Sequence, residues 1–233
     1  MGKIAIITAR GGSKRIPRKN IRLFLGKPMV AYSIEAALQS GIFDEVMVST
    51  DDEEIARIAI QAGASVPFMR SDKTSNDFAT TSDVVMEVLE EYGKRGRQFE
   101  YFCCIYPTAP FVTPERLREG MMMLEEKEAD CVMPVVSFSF PPQRCVVIRD
   151  GKLEPKWPQN MPKRSQDLEP YYHDCGQFYC VDVKRFQFEK VILMPNTLPL
   201  IVPELEVQDI DNEVDWKLAE LKYKLVREEN GKI

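Results

Sequence analysis

The chain has 233 residues, 44% hydrophobic and 29% charged, with a formal net charge of −5. That is enough apolar content for one substantial core, or a core with an added lobe. The acidic balance argues against nucleic acid as a partner, which needs an overall basic face, and no apolar run is long enough to span a bilayer.

Taken in chain order, the first half alternates strand and helix signals. "KIAIITA" is a continuous apolar run that predicts a strand covered on both faces. "KPMVAYSIEAALQSG" predicts a helix, with Pro28 in its first turn and Gly41 at its end. "DEVMVST" reads as a second strand, and "DDEEIARIAIQAG" as a helix with acids where the helix dipole favours them. "SVPFMR" reads as a short edge strand because of Pro67. "TTSDVVMEVLEEYGKRG" is an amphipathic helix, "EYFCCIYPTAP" a buried strand, "TPERLREGMMMLEEKEA" a helix and "DCVMPVVSFS" a strand. The Met121–Met123 run lies within a helix pattern and reads as core packing.

The pattern then changes. Residues 137–175 are rich in proline and turn signals, including "RDGK" as a hairpin turn, and are too long for a simple connection. They are expected to form an inserted lobe between core segments 1–136 and 176–233. "GQFYCVDVKRF" resumes the sheet, and "ELEVQDID" reads as a last strand before an amphipathic C-terminal helix. Short links between alternating strands and helices predict an α/β fold with a mostly parallel sheet and helices on both faces. Ligands of such sheets bind beyond the carboxyl ends of the strands, where the polar motifs fall.

Two motifs carry chemistry. In "ARGGSKRIPRKN", Arg10, Lys14, Arg15, Arg18 and Lys19 follow a strand directly, around Gly11, Gly12 and Ser13. The spacing is neither of the standard phosphate fingerprints. Glycines still let backbone N–H groups approach an anion, and the bases add charge-assisted contacts. A phosphate cradle and a solvated basic loop are both open readings. In "QDID", Asp209 and Asp211 would share one face of a strand and repel unless they share a proton or a cation; oxygen ligands beside a phosphate suit Mg²⁺. The alternative makes Asp211 or Asn212 the cap of the last helix. Asp51 and Asp52 read as a helix start, and His173, the only histidine, is weak evidence for a base. The six cysteines form no C-x-x-C pair and read as reduced core thiols of a cytoplasmic protein, Cys103 and Cys104 pointing to opposite sheet faces.

Together these residues resemble the sugar-acid cytidylyltransferases, the family that includes CMP-sialic acid synthetases. "ARGGSKRIPRKNI", "FLGKPMVAYSIEAA", "VSTDDEEIA", "YPTAPF" and "VQDIDNEVDWKLAE" carry the resemblance in order over nearly the whole chain, and "RSQDLEP", "YHDCGQFY" and "PELEVQDID" look most like the pseudaminic acid branch. The resemblance implies a three-layer, Rossmann-like nucleotide-diphospho-sugar transferase fold, with the inserted lobe serving dimerisation and sugar binding. It implies that CTP and a nine-carbon 2-keto sugar acid give a CMP-sugar and pyrophosphate with Mg²⁺, the anomeric hydroxyl attacking the α-phosphorus in line. By position, Arg10, Gly11, Gly12, Ser13, Lys14, Lys19 and Asn20 would meet the nucleotide, Arg70, Ala79 and Thr81 the cytidine, and Asp209 and Asp211 the metal, with Arg10 and Lys14 counted among the catalytic groups. Tyr106, Arg144, Arg164, Gln166, His173, Asp174 and Gln177 are the sugar-pocket candidates, in a homodimer whose second subunit completes the pocket. Tyr106 stands where sialate-specific members often carry glutamine, and Cys175-Gly176 replaces their Asn-Gly; both favour a nonulosonic acid other than N-acetylneuraminate. Competing readings are a synthetase for CMP-N-acetylneuraminate, CMP-legionaminate or CMP-Kdo, or a non-catalytic nucleotide-binding regulatory module, which would not need Asp209 and Asp211 together.

Overall fold

The computed structural model describes residues 2–229. In chain order the strands are β1 (Gly2–Thr8), β2 (Leu23–Phe24), β3 (Lys27–Pro28), β4 (Glu45–Ser49), β5 (Phe99–Ile105), β6 (Cys131–Ser137), β7 (Val146–Arg149), β8 (Lys152–Pro155), β9 (Tyr172–Asp174), β10 (Phe178–Asp182) and β11 (Thr197–Ile201). The helices are α1 (Met29–Ser40), α2 (Glu53–Gln61), α3 (Asp72–Ser75), α4 (Thr81–Lys94), α5 (Pro114–Glu126), α6 (Val183–Glu189) and α7 (Glu213–Glu229).

The main sheet runs β11-β6-β10-β5-β1-β4, with β9 pairing β6. β1 is parallel to β4 and β5, and β11 is parallel to β6, while β10 runs antiparallel to both its neighbours. Alternate residues of the strands feed two apolar layers. Ala5, Ile7, Val46, Val48, Cys103 and Ile105 pack against α1, α2 and α5. Ile4, Ile6, Phe102 and Cys104 pack against α4 and α6. Both sheet faces are therefore covered, which is why β1 and β5 are apolar at every central position. Cys103 and Cys104 do lie in opposite layers.

A third cluster fixes the site. Ile16 from the basic stretch, Phe24, Met29, Tyr32, Phe111, Ile210, Trp216 and Ala219 are buried together. Because Ile16 and Ile210 share this cluster, the loop after β1 and the loop before α7 are held side by side although 194 positions separate them in the chain.

Several local expectations are revised. Residues 65–70 form no strand; Ser65 makes an isolated bridge to Met47. "ELEVQDID" forms a 3₁₀ turn at Glu204–Glu206 and then an irregular segment, and the last strand is β11, upstream of it. β11 buries just Leu200, so its alternation is too weak to stand out in sequence. "VKRF" belongs to α6, which Asp182 opens by accepting from Arg185 N. Of the three consecutive methionines, Met121 is buried in the core and Met122 is exposed.

Between β6 and β9 the chain leaves the sheet and folds into a lobe containing the β7–β8 hairpin, whose turn places Asp150 and Gly151 at positive φ. Ile148 and Leu153 on this hairpin, and Phe140 beside it, are largely exposed.

Candidate active site

The carboxyl ends of the parallel strands converge on one edge, and the loop after β1 lies at its centre. Asn20, buried, donates from Nδ2 to Arg10 O (2.8 Å) and closes the loop on itself. Gly11 is placed against the start of α2: its N–H donates to Asp51 Oδ1 (2.8 Å), and a Cβ there would fall 2.8 Å from Asp52 Oδ2. Asp52 caps α2 by accepting from Glu54 N and Ile55 N. The Asp51-Asp52 pair thus starts a helix, and it also seats the basic loop. Gly12 has open space on its Cβ side.

The five bases do not stand unopposed. Arg10 contacts Asp77 (2.9 Å) and donates to Asn76 O (3.3 Å), and Lys14 pairs with the same Asp77. Arg15 contacts Asp211 (2.7 Å), and Arg18 pairs with Asp52 and Glu54. Lys19 donates to Ile210 O (2.6 Å) and lies 3.9 Å from Asp211. The basic loop is therefore gripped from three sides, by the 76–77 segment, by the start of α2 and by the 210–211 segment. Hydrogen bonding from Arg10 and Lys14 holds the Asp77 carboxyl below its ordinary range, while burial lowers the Lys19 ammonium.

Two adjoining cavities open beside the loop. One, of about 360 Å³, is lined by Thr8, Arg10, Ser13, Lys14, Arg15, Lys19 and Asn20. The other, of about 220 Å³, is lined by Thr8, Arg10, Arg70, Asp77, Ala79 and Thr81. They share Thr8 and Arg10. Arg70 is buried; its Nε donates to Ser49 Oγ (3.0 Å) and its Nη2 to Ser49 O (2.6 Å), and burial pulls its pKa down to about 10. Glu87 orders the next turn by accepting from Ser71 N, Ser71 Oγ and Thr74 Oγ1. Thr81, the first residue of α4, lies 3.1 Å through its hydroxyl from the Tyr106 phenol.

Asp209 and Asp211 lie within electrostatic reach of each other and of Lys19. Burial, reinforced by Asp211, pushes the Asp209 carboxyl up. Neither is the helix cap: Asn212 Oδ1 accepts from Val214 N and Asp215 N, and Asp215 reaches back to Asp211 N and Asn212 N. Capping thus falls to Asn212 and Asp215, and Asp209 and Asp211 stand outside the cap. No cluster of three or more His, Cys, Asp or Glu suited to a metal occurs among the described residues. A two-carboxylate set fits a cation that keeps waters and takes its remaining oxygens from a bound phosphate.

The sugar-side candidates divide into two groups. Arg144, Arg164, Gln166 and His173 are exposed residues of the lobe and its return strand. Arg144 donates to Ser165 Oγ (3.1 Å), Arg164 pairs with Asp167 (2.7 Å), and the His173 ring lies 4.8 Å from Phe138. Gln166 lines a separate cavity of about 380 Å³ with Phe138, Ser165 and Tyr171. Tyr106, Asp174 and Gln177 lie instead at the sheet edge. There Asp174 accepts from Gly176 N and the Tyr179 hydroxyl, and Gln177 Nε2 donates to Glu206 O (2.6 Å). Tyr179 and Asp77 have structural partners at the site that sequence reading did not single out; a phenol in an apolar strand and one acid among many gave no signal.

A family model described as cytidylyltransferase matches residues 4–194. The chain is 39% identical to the pseudaminic acid cytidylyltransferase of Campylobacter jejuni, over 98% of this chain and 99% of that one. It is 35% identical to the CMP-N,N'-diacetyllegionaminic acid synthase of Legionella pneumophila, over 97% of both. A solved structure of CMP:2-keto-3-deoxy-manno-octonic acid synthetase with CTP superposes with a TM-score of 0.68 at 18% identity, covering 98% of this chain and all of that one, a likeness of fold.

Proposed function

Since the chain belongs to the cytidylyltransferase family, we propose that it activates a sugar acid of the pseudaminic acid type with CTP, giving the CMP-sugar and pyrophosphate. The observation that carries this reading is the pair of adjoining cavities around Arg10, one basic and one reaching buried Arg70, beside the Asp209–Asp211 loop. A triphosphate fits the basic cavity, where Arg10, Lys14 and Lys19 can neutralise it as their present acidic partners give way. A cytosine fits the cavity that ends on Arg70, whose guanidinium is held still by Ser49. The pseudaminic acid branch is favoured over the legionaminic one by the higher identity, and Tyr106 and Cys175 at the sugar edge favour a nonulosonic acid other than N-acetylneuraminate.

Mechanistically, in-line displacement asks the protein for position and charge stabilisation. Arg10 and Lys14 would hold the leaving phosphates, and Tyr106 would border the side from which the anomeric hydroxyl arrives. Asp209 and Asp211 would hold Mg²⁺, which when bound neutralises phosphate oxygens and makes a hydroxyl more acidic. Repulsion from Asp211 adds to burial in raising the Asp209 pKa, as expected of a carboxylate pair suited to a cation. No histidine lines either cavity, in keeping with chemistry that needs no dedicated imidazole base. The protein is further proposed to act in the cytoplasm as a homodimer through the lobe, whose exposed Phe140, Ile148 and Leu153 would be covered by a second copy.

The test is pyrophosphate release with CTP and Mg²⁺ across a panel of nonulosonic acids. Turnover with pseudaminic acid is expected. Preference for N-acetylneuraminate or legionaminate refutes the branch, and silence with every acid refutes the activity. In the same assay Asp211→Ala is expected to abolish release while the protein stays folded; full turnover would remove Asp211 from the metal site.

A further inference from the structure

β9 and β10 run along the same neighbour, β6, but not in one register. Val135 faces Asp174 and Val132 faces Cys180, so three steps on β6 span six on the other side. The excess is taken up in the Cys175-Gly176-Gln177 bulge, with Gly176 at φ +61. Cys175 N still donates to Pro134 O (3.1 Å), so the bulge is anchored on its β9 side.

This bulge is tied to Tyr106 and to the segment that leads to Asp209. Asp174 Oδ1 accepts from Gly176 N (2.8 Å), and Asp174 Oδ2 accepts from the Tyr179 hydroxyl (2.5 Å), so one carboxylate spans the bulge. Gln177 O accepts from Tyr106 N (2.8 Å), and Gln177 Nε2 donates to Glu206 O at the head of the segment leading to Asp209. The Tyr106 ring meets the Tyr179 ring edge-on at 5.7 Å, and its hydroxyl lies 3.1 Å from Thr81 Oγ1 in the nucleotide cavity. Burial and the neighbouring Tyr106 and Asp174 push the Tyr179 phenol far above its ordinary range, so it stays a proton donor to Asp174.

We propose that Asp174 is a positioning residue for the sugar acid: by clamping the Cys175–Gln177 bulge between Gly176 N and the Tyr179 hydroxyl, it sets Tyr106 and the Asp209–Asp211 loop at their working separation. Its carboxylate is committed within the protein and acts on the substrate through the bulge. This inference rests on the cytidylyltransferase reading above, and it assigns to this chain a carboxylate clamp between two strands that share an edge.

The experiment compares the full-length wild type with Asp174→Ala and Tyr179→Phe. Pyrophosphate release is measured with CTP and pseudaminic acid varied separately, and CTP binding without sugar is measured by calorimetry. Asp174→Ala is expected to lower kcat/KM for the sugar acid at least about tenfold, as expected when hydrogen bonds to a charged group are lost, with CTP affinity within about twofold of wild type. Tyr179→Phe, which keeps the ring and loses one contact, gives a smaller loss of the same kind and decides the matter should the alanine variant fail to fold. Wild-type kinetics in Tyr179→Phe, or a loss shared equally by CTP and sugar, overturns the proposal and leaves the activity standing. A wild type that turns over no sugar acid overturns the activity and the proposal with it.

Discussion

Gly11→Ala isolates what the basic loop needs from glycine. Gly11 is not at positive φ, so backbone freedom is not the reason for it. Its requirement is space, because an added Cβ would sit 2.8 Å from Asp52 Oδ2 and 3.0 Å from Asp52 Cβ. Asp52 cannot retreat freely, since it caps α2 at Glu54 N and Ile55 N and pairs with Arg18. Overpacking of this kind costs about 1–3 kcal/mol, and a disturbed N-cap about 1 kcal/mol. A combined loss of about 2–4 kcal/mol lowers Tm by about 4–16 °C for a chain of this size. Gly12→Ala is the control, because nothing lies within 4 Å of the Cβ it would add. Its melting temperature should match wild type. Thermal unfolding of both variants by circular dichroism, with CTP binding by calorimetry, makes the comparison. Equal melting temperatures for Gly11→Ala and wild type, or an equal drop for Gly12→Ala, would refute the steric account.

Three further expectations concern the same framework. Hydrogen bonding from Arg18 holds the Asp52 pKa below its unfolded value, so this pair adds stability above the ordinary aspartate range that is lost as pH falls through it. Asp52→Asn should therefore destabilise the protein at pH 7 by an amount that shrinks as the pH falls below the ordinary aspartate range, as read by urea unfolding across that range; a constant difference would contradict the linkage. Arg70→Lys should lose most of the kcat/KM for CTP, since an ammonium cannot meet Ser49 Oγ and Ser49 O as the planar guanidinium does; near-wild-type CTP kinetics would show that this fixed fork is not needed. Among the six thiols, Cys145 is exposed and the others are buried, with burial raising Cys104, Cys131 and Cys175 to about 12. A thiol reagent should thus modify one cysteine rapidly in the native protein and the rest after unfolding, and rapid reaction of several would contradict this burial.

The alternation of strands and helices up to β6 was legible because each element has a period that its burial enforces. β1 and β5 are apolar along their centres because both faces are covered, and α2 and α4 open on Asp52 and Thr80 as their capping chemistry demands. The clustering of bases around Gly11 and the spacing of Asp209 and Asp211 were equally plain, being facts of composition. What misled was local pattern without tertiary support. "ELEVQDID" alternates like a strand, but the sheet position it would need is taken by β11, which pairs with β6. "VKRF" continues a strand pattern but turns helical once Asp182 caps it.

The sequence by itself determined the fold class, the basic glycine loop after β1 and the acidic pair, since these depend on residue types within short windows. The tertiary structure alone decided that Ile16 and Ile210 pack together and bring the two motifs into contact. It also decided that Asp77 closes on Arg10 and Lys14, and that Asp174 is spent on clamping a bulge. Those pairings join residues far apart in the chain or on strands out of register, and a carboxylate's partner is set by which surfaces the hydrophobic core brings face to face.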